Sequence, residues 1–354
     1  MKKVLATILA LVMALSVTTM AWADDVAKIG NTGYATLKEA IEHVANGETI
    51  VLTANVNNGD GIVVASGKNF TLDFAGHTYT ITQNVVGSTG TESQCFQLLK
   101  DSTITMKDGT IVANCAGAKM IIQNYCNLTL DNMKLDATAG NNNVGYVVSN
   151  NCGNVVIKNG TTITAKTTGV AFDVYGGFQN YGDVSVTLEA GATVNGKVEV
   201  ARDAGTQNKN TLTVTGGTVN GELAVTQNAK TEVAVTGGTF SSDVSNFVDS
   251  APVASNNGTY YVGAETIQNA ANTLSAGQQL KIEKGTVTIN GNTVTAGTSY
   301  TVPSRYYYYQ PTTDTKANDT KGSPKTFDAG IALYVGMALT SAAGVAFVGK
   351  KRED

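Results

Sequence analysis

Cys95-Phe96-Gln97-Leu98-Leu99, then Ser102-Thr103-Ile104-Thr105-Met106 and the turn Lys107-Asp108-Gly109-Thr110, open a degenerate repeat that runs to Phe240. The next unit reads Met120-Ile121-Ile122, Leu128-Thr129-Leu130 and Asp131-Asn132-Met133. Tyr146-Val147-Val148, Val155-Val156-Ile157 and Lys158-Asn159-Gly160-Thr161 follow, and then Val170-Ala171-Phe172, Val184 to Leu188 and Glu189-Ala190-Gly191-Ala192. The last two units are Val198-Glu199-Val200, Leu212-Thr213-Val214, Thr215-Gly216-Gly217-Thr218, and Leu223-Ala224-Val225, Val233-Ala234-Val235, Thr236-Gly237-Gly238-Thr239. A period of about 25 residues belongs to solenoids rather than to folds with one compact core.

Within each unit apolar residues alternate with Thr, Ser, Asn and Lys, which sends one side chain inward and the next to water. None of these short runs carries a helical i, i+3, i+4 stripe. Stacked rungs of this kind pair their backbones with the coils above and below. The fold expected is therefore all-β, a right-handed parallel β-helix with a short N-terminal capping helix. Leucine-rich repeats are the competitor, but their Leu-x-x-Leu-x-Leu consensus and helical segment are missing. Gly marks the turns because it reaches positive φ freely. Asn124 and Asn127 in one coil, and Asn150, Asn151 and Asn154 in the next, fall where amides stack into ladders; a polar ligand site is the other reading of the same residues.

Composition narrows the partners. Only 15 % of the 354 residues are charged and the net charge is −4, which excludes a basic nucleic-acid face. Arg202, Arg305 and Arg352 are the only arginines. The four cysteines, Cys95, Cys115, Cys126 and Cys152, all lie in the repeat. Cys126 and Cys152 occupy equivalent places in successive coils, about 4.8 Å apart along the ladder. That spacing suits either a disulfide or two buried thiols. No Cys/His spacing points to zinc and no GGxGxD repeat to calcium, so no metal and no cofactor is expected.

Along the chain, Met1-Lys2-Lys3, the apolar run Val4 to Val17 and Ala21-Trp22-Ala23 read as a secretory signal peptide over 1–23, cut before Asp24. The β-helix follows over 24–262. Its capping helix, at about 36–46, starts with the capping box of Thr36 and Glu39, carries the stripe Leu37, Ala40, Ile41 and Val44, and places Gly47 at C′. Such a helix covers the open edge of the first coil. His43 and His77 read as a surface and a turn residue. Residues 263–309 read as a β appendage or cap with a helix over 266–274 and two or three strands between 280 and 302. The run Tyr306 to Tyr309 ends it, and 310–322 is a polar linker. In 323–354, Ser323-Pro324-Lys325-Thr326-Phe327-Asp328 precedes an apolar span over 329–349 and then Lys350-Lys351-Arg352. About 21 residues at 1.5 Å each cross a ~30 Å hydrocarbon layer.

Two stretches resemble known families. Ala27 to Gly30, Tyr34 to Ile41 and Gly47 to Leu52, with the closing text Gly237 to Asp243 and Asn257 to Tyr260, resemble pectate-lyase-like β-helix modules in surface proteins of gut Firmicutes. The tail resembles a sortase sorting signal of the Ser-Pro-Lys-Thr-Gly type, with Phe327 in place of Gly. This second resemblance implies attack of a sortase thiol at Thr326, transfer to peptidoglycan, and a cell-surface location; an ordinary single-span membrane anchor is the alternative.

Phe172-Asp173-Val174-Tyr175-Gly176-Gly177-Phe178-Gln179-Asn180-Tyr181-Gly182 is the longest excursion. Loops on a rigid scaffold often carry function, and Phe172, Tyr175, Phe178 and Tyr181 are the candidates for stacking on sugar rings. Packing over the neighbouring coil is the structural alternative. Asp73, Asp131, Asp173 and Asp183 are too scattered to nominate a catalytic pair, so no catalytic residue is assigned. The expected function is a non-catalytic surface adhesin or stalk for a host or dietary glycan or a surface protein. A β-helix polysaccharide lyase or hydrolase, or a purely structural spacer, stands as the alternative.

Overall fold

The computed structural model of the protein describes residues 25–304. They belong to one compact unit, Met1–Arg305; the other, Tyr306–Asp354, lies outside the described residues. The signal segment with Ala21, Ala23 and Asp24, the linker, the motif Ser323 to Phe327 and the apolar span also lie outside them. Among the described residues no helix is long and apolar enough to cross a membrane.

The described chain is an all-β solenoid whose coils stack in three parallel ladders. The first climbs through Thr49–Leu52, Asn69–Asp73, the first halves of Thr103–Ala113 and Asn127–Asp136, Gly153–Ile157, Val184–Leu188, Asn210–Val214 and Thr231–Val235. The second uses Val56–Gly59, Thr78–Ile81, the second halves of the same two long strands, Thr162–Thr164, Thr193–Asn195, Thr218–Asn220 and Gly238–Phe240. The third is a separate sheet of Ile62–Val64, Gln94–Leu98, Met120–Asn124, Tyr146–Asn150, Val170–Val174, Lys197–Val200 and Leu223–Val225.

Register turns the alternation of the sequence into columns. Leu72, Met106, Leu130, Ile157, Leu188, Val214 and Val235 stand one above another, all buried. In the third ladder the inward column is Ile62, Phe96, Ile122, Val148, Phe172, Val198 and Leu223. This corrects one expectation: Phe172 is 0 % exposed, wedged between Val148 and Val198, and its ring is not available to a ligand.

The corner between the first two ladders needs a left-handed backbone. Asp108 and Asn132 occupy it with φ of 56° and 52°, and the Asn132 amide donates to Asp108 Oδ1 at 2.9 Å. One coil on, Gly160 has φ 78°, and a Cβ there would sit 2.6 Å from Asn132 Oδ1. Only glycine meets both conditions.

Antiparallel hairpins close the large sheet at both ends. Ala27–Ile29 pairs with Thr32–Tyr34 and lies on Thr49–Leu52, so the first rung offers no free edge. Helix α1, Leu37–His43, covers the same end and buries Leu37, Ala40 and Ile41; Thr36 Oγ1 accepts from the Glu39 N–H at 3.1 Å. The helix stops short of residue 46. Val44 turns into the core with extended ψ of 129°, and Gly47 does not cap the helix but donates its N–H to Asn69 O at 2.7 Å.

At the other end Val253–Asn256 and Thr259–Val262 form the closing hairpin on Gly238–Phe240. Helix α2, Ala264–Thr273, and four further strands, Gln279–Lys284, Thr286–Ile289, Asn292–Thr295 and Ser299–Thr301, then enclose a second core around Ile267, Leu280, Ile282 and Ile289.

Phe172→Ala removes a fully enclosed ring, which costs about 3–5 kcal/mol in large-to-small core substitutions. Equilibrium denaturant unfolding should record a loss of that size; a loss within experimental error would remove Phe172 from the core.

Candidate functional site

The outer face of the seven-stranded sheet carries the side chains that alternate with the buried column. Gln97, Gln123, Ser149, Asp173 and Glu199 stand in register on five successive rungs. They form a polar ladder: Gln97 Nε2 donates to Gln123 Oε1 at 3.3 Å, and Ser149 Oγ donates to Asp173 Oδ2 at 3.2 Å. The Asn150 N–H donates to Asp173 Oδ1 at 2.6 Å. Asp173 is almost wholly buried, and that burial pushes its carboxyl up to about 7, against the bonds from Asn150 and Ser149 that favour the anion. Glu199, one rung on, accepts from Lys197 Nζ at 2.9 Å and from the Tyr146 hydroxyl at 3.0 Å.

Aromatic rings line this ladder. The loop from Gly176 to Gly182 lies beside Tyr125, whose ring centroid is 4.7 Å from that of Tyr181 and 6.0 Å from that of Phe178. Tyr175 meets Phe178 edge-on at 6.1 Å. Phe178 and Tyr181 are 40 % and 37 % exposed, unusual for rings that cost free energy in water. Neighbouring coils tie the loop down. Asn208 Nδ2 donates to Phe178 O at 2.8 Å, Lys100 Nζ to Asn180 O at 3.1 Å, and the Gly176 N–H to Asn210 Oδ1 at 2.6 Å. The exposed rings are therefore held in place before any ligand arrives. Arg202 stacks its guanidinium 4.2 Å over the Tyr175 ring, and the Tyr175 hydroxyl donates to Asp203 Oδ2 at 2.8 Å.

Three of the four aromatic candidates, Tyr175, Phe178 and Tyr181, thus come together; Phe172 points the other way. Tyr125, Tyr146, Arg202 and the adjacent carboxyls Asp173 and Glu199 were not singled out from the sequence. The usable signal was the matching pattern in Phe172-Asp173-Val174 and Val198-Glu199-Val200, which sets two acids at one place in successive coils.

All four thiols are free, Cys126 and Cys152 included. Each of those two has its own acceptor: Cys126 Sγ lies 3.2 Å from Asn124 Oδ1, and Cys152 Sγ lies 2.8 Å from Tyr181 O. Burial pushes the Cys126 thiol up to about 12 and keeps it protonated. Of the two readings of this pair, the structure has the buried thiols, not the bridge. Among the described residues no group of three or more His, Cys, Asp or Glu side chains is placed to hold a metal. No known protein family matches the chain, nor does any curated protein or solved structure.

Chemically, the face offers ring faces for apolar C–H surfaces, the half-buried Gln123 and Glu199 for hydroxyl groups, and one exposed guanidinium; Gln97, Ser149 and Asp173 of the same ladder are buried.

The Asp173 proton has a measurable consequence. Folded Asp173 keeps its proton up to about pH 7, while in the unfolded chain it leaves near the ordinary 3.8. The stability tied to this group is whole below about pH 4 and is lost as pH rises towards 7. The denaturant midpoint should therefore fall between about pH 4 and about pH 7, and Asp173→Asn should flatten that fall. An unchanged slope in the variant would place the titration elsewhere.

Proposed function

We propose that the chain is a right-handed parallel β-helix of the pectate-lyase-like kind, exported and anchored at the cell surface, which binds glycans on the outer face of its seven-stranded sheet. The observation that carries this reading is the fixed pair Phe178 and Tyr181, exposed beside a ladder of hydrogen-bonding side chains. Sugar recognition uses these two elements together: flat rings under the C–H face of a pyranose, and planar amides or carboxyls for its hydroxyls. The handedness follows from the parallel crossovers, which are right-handed in roughly 98 % of cases. Export, the sortase, the peptidoglycan link and the membrane span rest on the terminal motifs of the sequence, with Phe327 the departure from the sorting pattern. The partner is a host or dietary glycan, free or carried on a surface protein.

The adjacency of Asp173 and Glu199 favours a second reading, hydrolysis of the bound glycan, because two neighbouring carboxyls can act as acid and base. Against it, both Asp173 oxygens are engaged and its side chain is buried, so it does not reach a substrate.

Full-length chain in detergent, passed over immobilised mucins and plant polysaccharides, should be retained without releasing new chain ends. Phe178→Ala with Tyr181→Ala should weaken retention about tenfold or more, since base or sugar stacking on an aromatic is worth roughly 1–3 kcal/mol per ring. Retention that ignores both changes would sink the binding reading. New reducing ends, abolished by Glu199→Gln, would replace it with hydrolysis.

A further inference from the structure

A second concave surface lies away from the aromatic face, where α2 leans over the corner of the last coils. It encloses about 490 Å³. Its floor is the glycine column that turns the chain from the first ladder to the second, represented by Gly217 and Gly238 with φ of 84° and 118°. One wall is a column of threonines in register, Thr193, Thr218 and Thr239. Tyr261 continues that column beside Thr239, and Glu265 and Asn269 of α2 line the cavity with it.

Two features mark this groove. Some outward polar side chains elsewhere bond to the next rung: Asn195 Nδ2 to Thr164 Oγ1 at 3.2 Å, Asn220 Nδ2 to Asn195 Oδ1 at 2.9 Å, Ser185 Oγ to Asn154 Oδ1 at 2.7 Å. The side chains of Thr193, Thr218, Thr239, Glu265 and Asn269 bond to no other residue among those described, though all line one cavity. The second feature is periodicity. Threonine recurs at one place on three rungs, about every 4.8 Å, so the wall presents equivalent hydroxyls over roughly 10 Å along the coil axis.

A ligand matched to this groove is linear, has a repeat close to one rung, and carries many hydroxyls. It has little charge, because the one ionic group in the wall is a carboxylate, which repels anions and accepts from hydroxyl donors. The glycine floor lets a ring approach the backbone, and the threonine methyls and the Tyr261 ring supply apolar contact. We infer that this groove is a second saccharide site, which takes two or so residues of a neutral, extended glycan chain lying along the coil axis. It stands independently of the aromatic face and carries a different set of contacts.

The test uses full-length chain in detergent carrying Phe178→Ala and Tyr181→Ala, so that the aromatic face does not contribute. Titration calorimetry is run with cellohexaose, xylohexaose and mannohexaose, and with hexagalacturonate as the acidic comparator. At least one neutral hexamer should bind, with hexagalacturonate at least tenfold weaker. Thr218→Val together with Asn269→Ala should weaken the neutral hexamer about tenfold, for two lost hydrogen bonds. Both positions are at the surface, and circular dichroism checks the fold; Glu265→Gln, which keeps shape and removes charge, should separately narrow the gap between neutral and acidic hexamers. Binding by no neutral hexamer, binding unchanged in the Thr218/Asn269 variant, or tighter binding of hexagalacturonate would each overturn the site. Because the aromatic rings are already removed, failure here leaves the aromatic face untouched, and failure there leaves this groove.

Discussion

Every other feature of this molecule depends on rung-to-rung pairing of parallel strands. Because one coil hydrogen-bonds to the next through its backbone, each side chain's nearest neighbours are its equivalents one coil away. That makes the inside a set of columns, and a column accepts a polar residue only when the next member completes its bonds. The column Leu98, Asn124, Asn150, Val174 shows the condition at work. Asn124 and Asn150 are 0 % exposed in an apolar wall. They are tolerated because Asn124 Nδ2 reaches Asn150 Oδ1 at 3.3 Å and Cys126 O at 3.0 Å, and because Asn150 Nδ2 donates to Asp173 O at 2.9 Å. Removing any one of these amides would leave a buried donor or acceptor unpaired on a neighbouring rung, so the ladder behaves as a unit.

The same pairing dictates where variation can occur. Strand positions are fixed by the coils on either side, and extra residues have to leave the stack between strands. Between Val174 and Val184 the chain does so, and the excursion is held by Asn208, Asn210 and Lys100 from other coils. A binding surface built this way inherits the rigidity of the stack: little ordering entropy remains to be lost when a ligand arrives. The ends follow from the same constraint. Parallel stacking leaves open edges, and both terminal rungs of the large sheet are covered by antiparallel hairpins, Ala27–Ile29 with Thr32–Tyr34 at one end and Val253–Asn256 with Thr259–Val262 at the other.

How much of this could be read from the sequence depended on the distance over which each feature is specified. Strand alternation is local, and Val155-Val156-Ile157 or Leu212-Thr213-Val214 shows its inward face without help. The start of α1 is local too, through Thr36 and Glu39, but its end is not. Val44 is drawn out of the helix by a place in the core that only the folded stack provides. Phe172 was readable and was misjudged. Lined up with Phe96, Ile122 and Val148 it falls in the buried column, and the excursion begins only after Val174. The closeness of Asp173 to Glu199 is legible in the same way, since Phe172-Asp173-Val174 and Val198-Glu199-Val200 match and set the two acids side by side. The equivalence of Cys126 and Cys152 was visible, yet equivalence in a coil does not orient two sulfurs. Asn124 Oδ1 and Tyr181 O take them separately.

On such a scaffold, unsatisfied polar groups carry more information than exposed ones. A flat parallel stack repeats Thr, Asn and Ser over most of its outside, and composition alone would make the whole surface a candidate for hydroxyl recognition. Rung-to-rung bonds consume part of that capacity, as Asn127 Oδ1 does by accepting the Asn154 N–H at 2.9 Å, and as Asn132 does with Asp108. Other outward hydroxyls stay unengaged, and those of Thr193, Thr218 and Thr239 differ in lining one cavity with α2. The aromatic face stands out by rings that are exposed yet tied down by other coils, and the glycine-floored groove by its concavity, not by polarity.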